Sequence, residues 1–379
     1  MTFKTPLSFP VFEGNEQRYS SKAIQSGHLA THGEFIGMFE SALSRRLGTH
    51  EAVALNSGTS ALHLALVLLG VGPGDEVICQ SFTFCASANP IVYLGATPVF
   101  VDSERDTWNM SPELLEDAIL DRINEGKKPK AIIAVHLFGM PAKMNQIMEI
   151  SQRYDIPVIE DAAEAIGSTL DGKQCGTFGT IGIFSFNGNK IMTTGGGGAL
   201  ISSDTRLLQK ARYLSAQARE DLPYYQHLEI GYNYRMNNMA AAIGLAQLEL
   251  LDQFIERRRD VNKRYRELLG NMPGIFFLDE KDGVFSNHWL TTITIDPDLS
   301  HTNNDKLRIL LLKKDIESRF LWKPLHLQPV FRNMPFFGGD VAQSLFQTGL
   351  CLPSSVNLSL DNQREIVGLM KVNLSNTIS

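Results

Sequence analysis

Three short polar segments carry residue types whose chemistry goes beyond packing. Residues 184–198 read FSFNGNKIMTTGGGG, which sets a lone Lys190 between an apolar run and four glycines. An amine held in a dry site can lose its proton and attack a carbonyl. No Gly-Lys-Ser/Thr spacing makes this a Walker A loop, and by itself Lys190 reads as an ordinary surface lysine. Asp161 ends the apolar run IPVIED at residues 156–161. A carboxylate there could cap the next turn, hold a cationic ring nitrogen, or join Glu164 at i,i+3 spacing as a metal ligand. No HxxH or HxxxH pattern accompanies the pair, which disfavours a metal. Residues 56–60 read Asn-Ser-Gly-Thr-Ser between an apolar run and a helical pattern. Hydroxyls and N–H groups at a helix N-terminus suit either a simple N-cap or a phosphate cradle.

Together, in this chain order, a phosphate cradle, a strand-end aspartate and a loop lysine are the parts of a pyridoxal phosphate site. The aspartate would keep the pyridine nitrogen protonated, and the lysine would join the cofactor's aldehyde. The elements needed to position them are legible too. Apolar runs at 52–55, 76–79, 97–101, 131–135, 158–160, 181–186 and 199–202 read as strands. Helical patterns at 60–69, 112–123 and 144–154 lie between them. Alternating strands and helices with continuously apolar strands predict a mostly parallel sheet covered on both faces. Residues 239–268 read as one long helix, apolar at first and then charged through Glu256-Arg257-Arg258-Arg259-Asp260, a run read as a solvated face. Strands at 274–278 and 290–295 and a helix at 304–316 then predict a smaller α+β domain. The expected division is a large α/β domain over 1–245, whose N-terminal segment packs on the small domain, and a small C-terminal domain over 246–379.

Four separated motifs carry a resemblance to a known family. SGTSALHLAL, EDAAEAIGS, FSFNGNKIMTTGGGGAL and GYNYRMN resemble the DegT/DnrJ/EryC1/StrS sugar aminotransferases, which have the aspartate aminotransferase-like fold type I. The resemblance implies that Lys190 is the catalytic residue that holds pyridoxal 5'-phosphate and moves the proton. It implies that Asp161 pairs with the pyridinium, that Gly58, Thr59 and Ser185 bind phosphate, and that Phe84 of SFTFCASANP stacks on the ring. Asn233 matches an asparagine that reaches the phosphate of a neighbouring subunit, so a homodimer with shared active sites is expected. Without the family pattern, Phe84 would read as a core aromatic and Asn233 as a turn residue.

Glu164 stands where many relatives have Gln or His beside the cofactor's phenolic oxygen. Two like charges there would raise the pKa of one partner, so Glu164 is expected to hold a proton and donate it as a hydrogen bond. Many relatives have Glu where this chain has Gly196, and Trp where it has His28. The branch that removes a 3-hydroxyl has His in place of Lys190, so amino transfer is expected. The motifs SFNGNKIMTTGGGGAL, QHLEIGYNYRMN and LWKPLHLQPVF most resemble transaminases of the UDP-N-acetylbacillosamine type. That implies L-glutamate as donor and C4 of a UDP-linked 4-keto-6-deoxy-N-acetylhexosamine as acceptor, with a GDP- or dTDP-linked 4-keto-6-deoxyhexose as one alternative and a non-catalytic sugar-nucleotide-binding regulator, disfavoured by the intact Lys190, Asp161 and Ser185, as the other. Trp322, Lys323 and His326 are candidates for shaping the sugar-nucleotide pocket, and a loop tucked against the other domain is an equal reading. His136 of VHLFG reads as a hydrogen-bonded structural histidine rather than a pocket residue.

Composition narrows the function classes. With 35 Lys+Arg against 41 Asp+Glu, the net charge of -6 disfavours broad binding to nucleic acid or anionic membranes. The longest apolar stretch, at 61–70, is far short of the ~20 residues that span a bilayer, and the first residues show no signal-peptide core. The four cysteines form no CxxC pair, so free thiols in a reducing cytoplasm are expected.

Overall fold

The computed structural model describes residues 3–49 and 51–375, with side chains described up to 372. In chain order the strands that matter are β1 (Glu51–Leu55), β2 (Glu76–Gln80), β3 (Thr97–Val101), β4 (Ala131–Val135), β5 (Val158–Asp161), β6 (Ile181–Ser185), β7 (Gly198–Ser202), β8 (Ile275–Phe277), β9 (Thr291–Ile295), β10 (Arg319–Phe320), β11 (Phe336–Phe337) and β12 (Gly349–Leu352). The helices are α1 (Glu16–Gln25), α2 (Glu34–Leu47), α3 (Gly58–Leu68), α4 (Pro112–Asn124), α5 (Met144–Tyr154), α6 (Asn238–Glu249), α7 (Leu251–Leu269), α8 (Asn304–Leu312) and α9 (Leu360–Ser375).

The large sheet has the order β1-β7-β6-β5-β4-β2-β3-β11, and β7 alone runs against the rest. Its central strands β2, β4 and β5 are buried at every position because both faces are covered. Successive side chains point to opposite faces. Ile132, Ala134 and Val158 therefore pack with Leu115 and Ile119 of α4 and Ile147 of α5. Ile133, Val135 and Ile159 face the opposite core, which includes Leu62 and Leu66 of α3.

The small sheet, β8-β9-β12-β10, is antiparallel. It has its own core, in which Val261, Tyr265 and Leu269 of α7 meet Ile293, Leu350, Leu311 of α8 and Met370 of α9. Two connections cross between the sheets' surroundings. Thr5 bridges in parallel to Ile316, and β11, late in the chain, adds an edge to β3.

One element differs from the sequence expectation. Residues 239–268 form two helices rather than one, because Leu250 leaves helical geometry at φ -104°, ψ 2°. The break separates two sets of partners. Helix α6 packs on α1 and α2, whereas the later turns of α7 pack on the small sheet's core. The helix expected over 304–316 also stops early, at Leu312. Among the described residues, no helix is long and apolar enough to cross a membrane.

Candidate active site

In open parallel sheets, ligands bind beyond the carboxyl ends of the strands. The ends of β5 and β6 and the turn between β1 and α3 converge there on a pocket of about 430 Å³. Gly58, Thr59, Phe84, Asp161, Glu164, Ser185, Lys190 and Trp322 all line it, so eight of the expected residues share one cavity. Strand register explains part of this. Asp161 closes β5 opposite Val135 of β4 and Ile183 of β6, and both neighbours are pocket walls.

Asp161 is buried, and its Oδ2 accepts a hydrogen bond from the Ser87 hydroxyl at 2.7 Å. Its Oδ1 accepts from the Ala163 N–H at 3.2 Å, and no ion pair engages it among the described residues. The second hydroxyl of the chain, Thr83, lies 2.9 Å from Ser87. A buried, oriented carboxylate without a cationic neighbour is costly unless a cation completes it.

On the opposite side, Ser57 caps α3 by accepting from the Ser60 N–H at 3.0 Å. The first N–H groups of a helix have no intrahelical acceptor and carry partial positive charge, which suits a phosphate. Glycines let this N-terminus sit tightly against the sheet. A Cβ on Gly58 would stand 2.9 Å from Ser185 Cβ, and one on Gly198 would stand 2.4 Å from the Ser57 carbonyl carbon.

Lys190 follows β6 in a loop and is largely buried. Its Nζ lies 4.0 Å from the centre of the Trp289 ring and 3.4 Å from Glu164 Oε1. A cation over an indole face is stabilised by the ring's negative face. Glu164 Oε2 accepts the Phe138 N–H at 2.7 Å. Burial pushes the Glu164 carboxyl above its ordinary range. The Lys190 ammonium and the Phe138 N–H oppose that shift, and Asp161 adds to it. The turn that delivers this N–H is strained, with Phe138 in the left-handed region at φ 56°. The Asn287 amide fixes the other side by donating to the Glu164 and Ile166 carbonyls, each at 3.0 Å.

The remaining expected residues lie elsewhere. Lys323 is exposed and His326 bonds Ser81 Oγ at 2.7 Å and stacks on Phe336, so neither reaches the pocket wall. Asn233 is exposed, and its main-chain carbonyl accepts from Asn56 Nδ2 at 3.1 Å. His136 is fully buried, with Nε2 at 2.9 Å from Glu160 and Nδ1 accepting the Ala142 N–H. Sequence reasoning missed Ser87, Trp289 and Arg319, which line the pocket as well. Ser87 lay inside the quoted SFTFCASANP segment, whereas Trp289 and Arg319 had no local signal because strand β10 and the loop before β9, far along the chain, bring them in.

The residues present fit pyridoxal 5'-phosphate. An unpaired strand-end carboxylate, a helix N-terminus and a shielded amine face one cavity, which is the arrangement of a PLP-dependent aminotransferase. The chain belongs to the DegT/DnrJ/EryC1/StrS aminotransferase family, whose model matches residues 11–371. It is 49% identical to EpsN of Bacillus subtilis (strain 168), named as a pyridoxal phosphate-dependent aminotransferase, over 97% of this chain and 95% of that one. It is 39% identical to the GDP-perosamine synthase of Escherichia coli O157:H7, over 93% and 94% of the two chains. A DegT DnrJ EryC1 StrS aminotransferase from Brucella abortus has the same fold, with a TM-score of 0.89 and 34% identity over 95% of each chain. The fold is therefore that of the PLP-dependent fold type I transferases, and the chain is a sugar aminotransferase that uses pyridoxal 5'-phosphate.

Proposed function

We propose that this enzyme moves an amino group from L-glutamate to C4 of a UDP-linked 4-keto-6-deoxy-N-acetylhexosamine, giving a UDP-4-amino sugar. The observation that carries amino transfer is the shielded Lys190 amine facing the same cavity as Asp161 and the α3 N-terminus. When bound, the cofactor supplies an electron sink for negative charge developing on the reacting carbon. Lys190 Nζ takes and returns the proton in each half of the reaction. Asp161 holds a positive charge at the ring nitrogen, oriented by Ser87 and Ala163. Glu164, with a raised carboxyl pKa, holds a proton toward the ring oxygen. Gly58, Thr59 and Ser185 bind the phosphate, and Phe84 covers the ring. At the mouth, Trp322 lies 5.2 Å from Phe84 and offers a flat face to the sugar nucleotide.

The relatives named GDP-perosamine synthase favour a second reading, in which the acceptor is a GDP-linked 4-keto-6-deoxyhexose. Turnover with glutamate across UDP-, GDP- and dTDP-linked 4-keto sugars separates the two. Highest kcat/KM on the UDP N-acetyl sugar supports the first reading, and equal or better turnover of the GDP sugar replaces it.

The same reading makes the working unit a homodimer, with the exposed Asn233 reaching the partner's phosphate site. It divides the chain near residue 245 into a cofactor domain and a pocket-closing domain. It places the enzyme in the cytoplasm, where its four free thiols stay reduced.

A further inference from the structure

Arg258 belongs to the charged run of α7 that the sequence suggests is solvated, yet it is almost completely buried. No acid pairs with it among the described residues, and its Nε has no hydrogen-bond partner. A guanidinium withdrawn from water without a counter-ion is destabilising unless its hydrogen bonds serve a specific geometry. Burial alone pulls its pKa down to about 9.

Its two terminal nitrogens have distinct targets. Nη1 donates to the Trp289 carbonyl at 2.5 Å, and Nη2 donates to Ser8 Oγ at 2.9 Å. Both targets lead to one atom. The Ser8 hydroxyl donates to the Asn189 carbonyl at 2.6 Å, and the Trp289 indole N–H donates to that same carbonyl at 2.8 Å. The result is a closed hydrogen-bonded circuit through four chain segments: the N-terminal stretch, the lysine loop, α7 and the loop before β9. Asn189 immediately precedes Lys190, and the Trp289 ring lies under the Lys190 amine.

We propose that Arg258 is a positioning residue for Lys190, fixing through Ser8 and Trp289 both the main chain before the lysine and the ring beneath its amine. The proposal rests on Lys190 being the cofactor-bearing lysine. Only a planar fork spans both targets at once. A lysine at 258 keeps the charge but reaches one of them. The Lys190 amine is also held by Glu164, so loss of the circuit loosens its position without releasing it. The circuit touches neither Asp161 nor the α3 N-terminus, so cofactor affinity and lysine positioning separate experimentally.

The test compares wild type with Arg258→Met, Arg258→Lys, Ser8→Ala and Lys190→Ala. For each, the apo protein is reloaded with pyridoxal 5'-phosphate. Cofactor affinity, the visible circular dichroism per bound cofactor, and the rate of borohydride fixation on the lysine are measured, alongside Tm. In Arg258→Met, affinity should stay within about threefold while fixation slows about tenfold or more, as misplacement of a reacting group predicts. Visible circular dichroism falls with it. Ser8→Ala changes the same two signals in the same direction by less, and Arg258→Lys recovers part of the loss. A lower Tm with wild-type circular dichroism and fixation rates in Arg258→Met and Ser8→Ala overturns the proposal. If Arg258→Met does not fold, Ser8→Ala decides alone, because Ser8 is half-buried in the N-terminal stretch and its loss removes one side of the circuit. Fixation that persists in Lys190→Ala overturns the assignment of Lys190 itself, independently of Arg258.

Discussion

The four consecutive glycines at 195–198 have different jobs, and single alanine substitutions separate them. Gly198 pairs with Leu55 of β1 and Ser185 of β6, directly behind the N-terminus of α3. A Cβ there would lie 2.4 Å from the Ser57 carbonyl carbon and 2.5 Å from the Gly58 nitrogen. Restoring an ordinary carbon–carbon separation of ~3.5 Å requires a shift of about 1 Å. Both obstacles are main-chain atoms, so the shift falls on the turn before α3, the proposed phosphate cradle. Overpacking of this kind destabilises by about 1–3 kcal/mol, and rigid neighbours place Gly198→Ala near the upper end. A displacement of ~1 Å in a positioning element costs turnover about a hundredfold. Gly196 also lines the pocket, but its Cβ would meet nothing within 4 Å and its φ is not left-handed. Gly196→Ala should therefore stay within about twofold of wild type, since a tolerated Gly→Ala change shifts stability by only ~0.4–1 kcal/mol. Gly195, at φ +81° with open space around it, should lose about 1 kcal/mol of stability on alanine substitution while keeping its cofactor affinity. Cofactor titration of the three apo variants, followed by visible absorbance, is the assay, with Tm as the companion measurement. Wild-type affinity in Gly198→Ala, or equal losses in Gly196→Ala, would refute the assignment of a close-packed cradle.

Three further outcomes follow from the same geometry. Asp161→Asn retains an acceptor for the Ala163 N–H and should fold with a loss of about 1 kcal/mol, yet lose roughly a hundredfold or more in kcat; turnover within tenfold of wild type contradicts its role. Burial raises the Glu164 carboxyl pKa in the folded apo protein, so the folded state binds that proton more tightly than the unfolded chain, and the group's contribution to stability falls as pH rises from the ordinary carboxyl range through the raised value. Glu164→Gln removes that loss while keeping an acceptor for Phe138, so the variant's Tm should gain on wild type across that window and level off above it; a constant difference at all pH values argues against the shift. Trp322→Ala should raise the KM for the nucleotide sugar about tenfold, as loss of an aromatic anchor does, whereas Lys323→Ala should change it less than about twofold. Equal effects would place the nucleotide outside the pocket that Trp322 lines.

The large sheet was legible because its strands are short apolar runs with clear turn signals, and all seven expected strands from 52 to 202 exist. Gly58, Asp161, Ser185 and Lys190 were legible as candidates because each ends or follows such a strand, whereas Phe84 and Asn233 came only from the family resemblance. What escaped is tertiary. Leu250 interrupts a helical pattern that has no Pro and whose one Gly, Gly244, lies well before the break, because the two halves of that pattern serve different cores. Arg258 sits in a charged run whose residues mostly read as solvated, and only the docking of the N-terminal stretch and the Trp289 loop buries it. Arg319 belongs to strand β10 of the small sheet and Trp289 to the loop before β9, and no local pattern encodes their approach to the pocket. Lys323 and His326 were candidates as pocket-shaping residues of LWKPLHLQPVF, but of that segment only Trp322 lines the pocket, and the turn at Leu325–Leu327 stacks His326 on Phe336.

The central claim is that Lys190 carries the cofactor and moves the proton of amino transfer. The most direct measurement is borohydride reduction of the loaded enzyme followed by peptide mapping of the covalently fixed cofactor. The label should lie on the peptide containing Lys190, and pretreatment with L-glutamate, which releases the lysine, should prevent labelling. Label on any other lysine, or labelling unaffected by glutamate, would contradict it.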